Sequence, residues 1–183
     1  LRRTKGRMLL KTHAESVCIR AARLGDLAAM RRIYNESVAH SVATFDEVPR
    51  SADEQVAWWQ GLVSAGWPVM VAASAQDEVL GFASLGSFRA RSAYRITAEN
   101  SVYVKATAQG QGIGLQLLTC TQQAAIERKL HSVIAVIALP NPGSVRLHAK
   151  LGFTDVGTLR EAGLKFGRFV DVLLMQWLVP GGT

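Results

Sequence analysis

The sequence predicts an α/β domain of the mixed, α+β kind: a central, mostly antiparallel sheet of about seven strands flanked by about four helices. Three observations predict it. Seven short apolar or alternating runs have strand length, and four longer segments repeat apolar residues at helical spacing. Their order also changes along the chain, from paired strands in the middle to alternating strand and helix later. With 183 residues, 49% of them hydrophobic, the chain suffices for one domain with a normal core.

Residues 17–22 read as the first strand. Asp26 is placed to cap a helix whose apolar positions Leu27, Met30, Ile33, Tyr34 and Val38 form one stripe. Ser51 and Glu54 have capping-box spacing and open a second helix through Trp58, Trp59 and Leu62, which Gly66 ends. Residues 69–73 and 79–85 are apolar runs separated by Gln76-Asp77-Glu78, a hairpin pattern. Residues 96–104 alternate into a strand, with Ser101 and Tyr103 on one side and Val102 and Val104 on the other. A helix runs from the glycine-rich turn near Gln111 to about Lys129, and residues 133–139 have the length and β-branched content of a buried strand. Pro140-Asn141-Pro142-Gly143 breaks that strand, residues 144–151 form a short helix ended by Gly152, and residues 153–159 and 169–178 are the last strands. Trp58, Trp59 and Trp67 fall at core or dimer-packing positions.

The formal charge of +7 is unevenly placed. Residues 1–17 hold five basic side chains against Glu15, so most of the excess lies in a short polar segment. Residues 1–16 are expected to be a disordered basic arm, residues preceding a true start at Met8, or an appended remnant. The last two are favoured because the chain opens on Leu1. The segment has no apolar core of a signal peptide, no run approaches membrane-span length, and the rest of the chain carries no basic stripe for nucleic acid. Cys18 and Cys120 have no partner pattern for a disulfide framework or a metal site, so no metal is expected, and a reducing cytoplasm is.

The strongest chemical signal is the segment from Val102 through Gln109-Gly110-Gln111-Gly112-Ile113-Gly114. A strand runs out, three glycines alternate, and an amphipathic helix begins. Glycines allow close backbone approach, and the helix's free N–H groups and dipole favour an anion. No Lys follows Gly114, which excludes a Walker A loop, and the spacing is not that of a dinucleotide fingerprint. A phosphate-bearing ligand of another kind is expected.

Gln109-x-x-Gly112-x-Gly114 resembles the Q/R-x-x-G-x-G/A signature of the GNAT superfamily of acetyltransferases. Downstream, Asn141-x-x-Ser144-x-x-x-His148-x-x-x-Gly152-Phe153 resembles the family's second pattern, with His148 where many members have Tyr. The resemblance covers roughly residues 17–178, and 17–180 is expected to be a single GNAT domain whose sheet splays in the middle. It implies acetyl-coenzyme A as cofactor, with its pyrophosphate on the turn of Gln109, Gly110, Gln111, Gly112, Ile113 and Gly114. The strand of Val102, Tyr103 and Val104 would flank its pantetheine arm, with Asn141, Ser144 and His148 on the far side. Glu99-Asn-Ser-Val-Tyr-Val104, Phe88-Arg89, Tyr94-Arg95 and residues 165–171 are similar to the subgroup that acetylates phosphinothricin and methionine sulfoximine, usually cytoplasmic homodimers.

An amine is protonated at neutral pH and needs a base before it can attack a thioester. Glu99, ahead of the strand that leads to the turn, is the candidate, and the subgroup resemblance assigns its glutamate that role. Attack generates an oxyanion that backbone N–H groups of Val102 and Val104 can stabilise. His148 is either the general acid for the leaving thiolate or a hydrogen-bonding residue. Arg89 and Arg95, with Arg91 a weaker candidate, suit an acceptor's carboxylate or anionic tail. Lys165, in a glycine-flanked loop, is expected to reach its own or a neighbouring subunit's site, and Phe45 to wall the pocket. The acceptor is then a small-molecule amine, with neither nucleic acid nor membrane as partner. Competing readings are a protein N-terminal or ribosomal-protein acetyltransferase, a non-catalytic coenzyme A-binding regulator, and a nucleic-acid binder using the basic arm.

Overall fold

The computed structural model describes residues 17–181, so the segment 1–16 lies outside the described residues. The strands are β1 (Cys18–Ala21), β2 (Val69–Ala73), β3 (Val79–Ser87), β4 (Thr97–Val104), β5 (Ser132–Ala138), β6 (Thr154–Lys165) and β7 (Arg168–Leu178). The helices are α1 (Leu27–His40), α2 (Ala52–Ser64), α3 (Ile113–Glu127) and α4 (Pro142–Lys150). One sheet has the order β1-β2-β3-β4-β5-β7-β6, and every neighbour pair is antiparallel except β4 and β5. Among the described residues, no helix is long and apolar enough to cross a membrane.

Each face of the sheet is covered by helices that its own pattern dictates. The α1 stripe Leu27, Met30, Ile33, Tyr34 and Val38 is buried against Val71 and Phe82, with Trp58, Trp59 and Tyr103 packed beside it. On the other face Ile113, Leu117 and Leu118 of α3 meet Ala72 and Ala83, small residues that let helix and sheet approach closely. A third cluster around Val133, Ile137, Phe153 and Met175 takes in Trp67 and Trp177. The capping box of α2 forms as predicted: Glu54 N–H donates to Ser51 Oγ at 3.2 Å, and Ser51 N–H donates to Glu54 Oε2 at 2.7 Å.

Two expectations are corrected. Asp26 makes no side-chain cap to α1. Its buried carboxylate instead accepts from both Arg20 guanidinium nitrogens, at 2.7 and 2.9 Å, and from Arg23 N–H at 2.7 Å, closing the turn before the helix. The Arg20 hydrogen bonds hold its carboxyl below the usual 3.8, so this stability is present above that pH and is lost as the pH falls through the lower folded value. Asp26→Asn is expected to cost about 2 kcal/mol at pH 7, with the gap to wild type closing in acid; urea unfolding at both pH values measures it.

The second correction concerns β6, which does not stop at Leu159. It continues to Lys165 through a bulge in which residues 160–162 stand opposite Asp171. Glu161 takes a positive φ of 53° there, and its N–H donates to Asp171 Oδ1 at 2.7 Å. Phe166 and Gly167, both at positive φ, make the tight turn into β7. Lys165 is therefore the last residue of a strand and not part of an open loop.

Candidate active site

The site begins where the parallel pair opens. β4 and β5 pair from Thr97↔Ser132 to Asn100↔Ala135 and then part, while β4 stays paired with β3 as far as Val104↔Gly81. Lys105 N–H donates to Leu80 O on the β3 side. By strand alternation, the N–H and C=O groups of Val102 and Val104 point to the opposite, opened edge. Gln109 Nε2 donates to the Val104 carbonyl at 3.1 Å, which ties the glycine-rich turn to that edge.

The turn has the backbone its glycines permit. Gly110 and Gly112 sit at φ 77° and 81°, and no heavy atom lies within 4 Å of where a Cβ would stand on either. Gly112 is the cap residue of α3, which starts at Ile113, and no side chain caps the helix's first N–H groups. A cleft of about 1100 Å³ runs beside them, lined by Val102, Tyr103, Val104, Gln109, Gly110, Gly112, Ile113 and Gly114 on one side and by the start of α4 on the other. Gln111 is outside this lining; its side chain donates to Thr107 O at 3.3 Å. Two residues that sequence reasoning passed over, Arg146 and Lys150, line the cleft from one face of α4. Their spacing of four was the available signal.

A second cavity of about 260 Å³ adjoins the cleft and shares Val42, Ala43, Val102, Tyr103, Asn141 and Ser144 with it. Glu99, Asn100, Ser101, Phe45, Thr44, His148 and Val172 complete its walls with β5 residues Ala135 to Ala138. Burial pushes the Glu99 carboxyl above its usual 4.5, and the positive charge of Arg89 partly offsets this. Glu99 and Asn100 are successive, so their side chains lie on opposite faces of β4.

His148, 3% exposed, is fixed on the Asn100 side. Its Nδ1 lies 2.8 Å from Ser144 O, an acceptor only, so Nδ1 carries the hydrogen. Nε2 of the neutral ring then accepts from Asn100 Nδ2 at 3.0 Å. Burial pulls its pKa below 6.5, which keeps the ring neutral. With both nitrogens engaged inside the protein, the ring is arranged as a hydrogen-bonding fixture between α4 and β4. Asn100 was passed over because an Asn in mid-strand has no pattern of its own. Asn141 lines both cavities, and its Oδ1 also accepts from Ser144 N–H at 3.1 Å, capping α4 and starting that helix at Pro142.

The substrate candidates separate. Glu99 and Phe45 line the smaller cavity. Arg89 is exposed and close enough to act on Glu99, with its guanidinium 4.9 Å from the centre of the Phe88 ring. Arg95, exposed in the turn Ser92–Ile96, lines neither cavity. Lys165, 1% exposed, directs Nζ to Thr44 O at 2.6 Å and braces the loop that carries Phe45 from outside the cavity. Among the described residues no group of three His, Cys, Asp or Glu could hold a metal ion.

A family model described as an acetyltransferase (GNAT) domain matches residues 19–174. The chain belongs to the GNAT acetyltransferase family. It is 38% identical over 161 residues to the L-methionine sulfoximine/L-methionine sulfone acetyltransferase of Pseudomonas paraeruginosa, covering 88% of this chain and 94% of that one. Its structure superposes with a TM-score of 0.89, at 36% identity, on a phosphinothricin acetyltransferase from Sinorhizobium meliloti solved in complex with acetyl-coenzyme A, covering 91% and 90% of the two chains. A ribosomal-protein-alanine N-acetyltransferase from Brucella melitensis is 40% identical with a TM-score of 0.85, covering 88% of this chain and 99% of that one. The GNAT fold accounts for the seven-stranded sheet, and the glycine-rich turn and basic α4 face fit the phosphates of this family's acetyl donor.

Proposed function

We propose that this GNAT enzyme acetylates the primary amine of a small amino-acid-like acceptor of the methionine sulfoximine or phosphinothricin type, using acetyl-coenzyme A. The single observation that carries the reading is the junction of the two cavities: a small pocket containing Glu99 opens onto a long cleft that ends at the α3 glycine turn. A volume of about 260 Å³ suits an amino acid better than a folded protein's extended terminus.

The turn amides of Gly110, Gly112 and Ile113, with Arg146 and Lys150, would hold the donor's phosphates, and the opened edge at Val102 and Val104 would hold its arm. The donor would supply a thioester: as the acceptor nitrogen bonds to its carbonyl carbon, the C–S bond breaks and coenzyme A leaves as a thiolate, which with a thiol pKa of about 8.5 can depart unprotonated and take its proton from solvent. Glu99 takes the proton from the acceptor's ammonium, directly or through one water, and its raised pKa suits that transfer. The N–H groups on the opened β4 edge favour negative charge developing beside them. His148, with its hydrogen on the Ser144 carbonyl, orients α4 against Asn100 and is not needed as the acid. Arg89 balances an anionic acceptor group and moderates Glu99.

The names of the similar proteins support the acceptor class. A reducing cytoplasm fits Cys18 and Cys120, both free. A homodimer through the β6–β7 hairpin fits its exposed apolar side chains Leu164, Phe166 and Phe169. The test is thiol release from acetyl-coenzyme A over methionine sulfoximine, phosphinothricin, unmodified amino acids and an N-terminal alanine peptide. Turnover is expected with the small analogues, and a preference for the peptide would overturn the acceptor assignment.

A further inference from the structure

We propose that Gly163 determines acceptor specificity, because the space left by its missing side chain holds the ring of Phe45 and thereby sets one wall of the smaller cavity. The proposal rests on the reading of that cavity as the acceptor site. A Cβ on Gly163 would lie 2.3 Å from Cε2, 2.5 Å from Cζ and 2.9 Å from Cδ2 of Phe45. These are overlaps, so a methyl group and the ring cannot share this arrangement. Gly163 does not have the positive φ that would require glycine for its backbone. Here the demand is for room.

The ring's surroundings explain why displacement would reach the cavity. Phe45 lines it together with Glu99 and Tyr103. The loop carrying Phe45 is fastened on both sides of the ring. Tyr34 Oη shares a hydrogen bond with Thr44 Oγ1 at 2.9 Å and donates to Asp46 Oδ2 at 2.5 Å, while Lys165 Nζ donates to Thr44 O at 2.6 Å. With its backbone held, the ring answers an added methyl by rotating. Gly163 and Lys165 are two apart on β6, so they present the gap and the fastening ammonium on one face. The bulge at residues 160–162, pinned by Asp171, sets that register; a slip by one residue would present Ala162 or Leu164 instead. Glycine at 163, phenylalanine at 45 and lysine at 165 therefore act as one unit at the acceptor end, and none of the three lines the long cleft.

The experiment is steady-state kinetics on wild type, Gly163→Ala, Phe45→Ala and the double variant, with a series of amino-acid acceptors of increasing side-chain length. Acetyl-coenzyme A affinity is measured in parallel by calorimetry. Gly163→Ala is expected to raise acceptor KM about tenfold or more and to reorder the acceptors by length, leaving acetyl-coenzyme A affinity unchanged. The double variant is expected to match Phe45→Ala alone, since the methyl then has no ring to displace. Should Gly163→Ala fail to fold, restored folding and turnover in the double variant reads the same overlap. A wild-type acceptor profile in Gly163→Ala, or effects that add in the double variant, would overturn the proposal while leaving the function standing. A wild-type protein that acetylates no small amine would overturn the function, and this proposal with it.

Discussion

In Glu99→Gln, kcat/KM for the amine is expected to fall by about a hundredfold to ten-thousandfold, with acetyl-coenzyme A affinity unchanged. The reason is local. Glu99 lines the smaller cavity, and the amide that replaces it preserves shape but cannot accept the acceptor's proton. The pH profile gives the sharper reading. A base works ionised, so the wild-type rate must decline as the pH falls through the Glu99 pKa, which burial places above 4.5. In the variant that limb disappears, and the remaining dependence follows the acceptor's own ammonium. Measuring kcat/KM across pH 4.5 to 9 for both proteins decides the matter. A variant that keeps the wild-type rate and acid limb would remove Glu99 from the proton transfer.

Gly112→Val is expected to weaken acetyl-coenzyme A binding about a hundredfold or more, for two reasons that add. The residue sits at φ 81°, where a β-branched side chain is strained by about 1–3 kcal/mol. Its Cβ would also project into open space at the mouth of α3, the space proposed for the donor's phosphates. Gly25 provides the control: it has no neighbour within 4 Å of a Cβ and no positive φ, so Gly25→Ala should bind the donor as wild type does. Calorimetric titration of the three proteins reads both. Unchanged affinity in Gly112→Val would disconnect the turn from the donor.

The parts of the fold read correctly from sequence are those specified by neighbours in the chain. The α1 stripe, the Ser51–Glu54 box and the glycine-rich turn depend on residues within a few positions of one another, so periodicity and spacing reveal them. Asp26 was misread because a capping residue and an ion-pair residue look alike until Arg20 is seen folded beside it. The β6 bulge depends on Asp171, ten residues away from Glu161, and the turn that follows β6 depends on a Phe at positive φ, a conformation Phe seldom adopts. In the site, a family pattern and a loop position point to Glu99 and Phe45, and both line the smaller cavity. Asn100 with His148 is a juxtaposition made by α4 packing on the sheet, whereas Arg146 and Lys150 share a face of α4 by their spacing alone. Lys165 was misjudged for the opposite reason: a charge near glycines suggests a reaching side chain, but the folded hairpin turns it inward onto Thr44.

The parting of β4 and β5 has a consequence for how the protein holds itself together. Four rungs, from Thr97↔Ser132 to Asn100↔Ala135, join the two halves of the sheet, and the ladder then stops, with α3 connecting the two strands along the chain. A guest bonded to both margins would supply missing rungs, so the same backbone groups serve cohesion when the seam is filled and recognition when it is not. Binding and resistance to unfolding are thereby linked through a single strand edge.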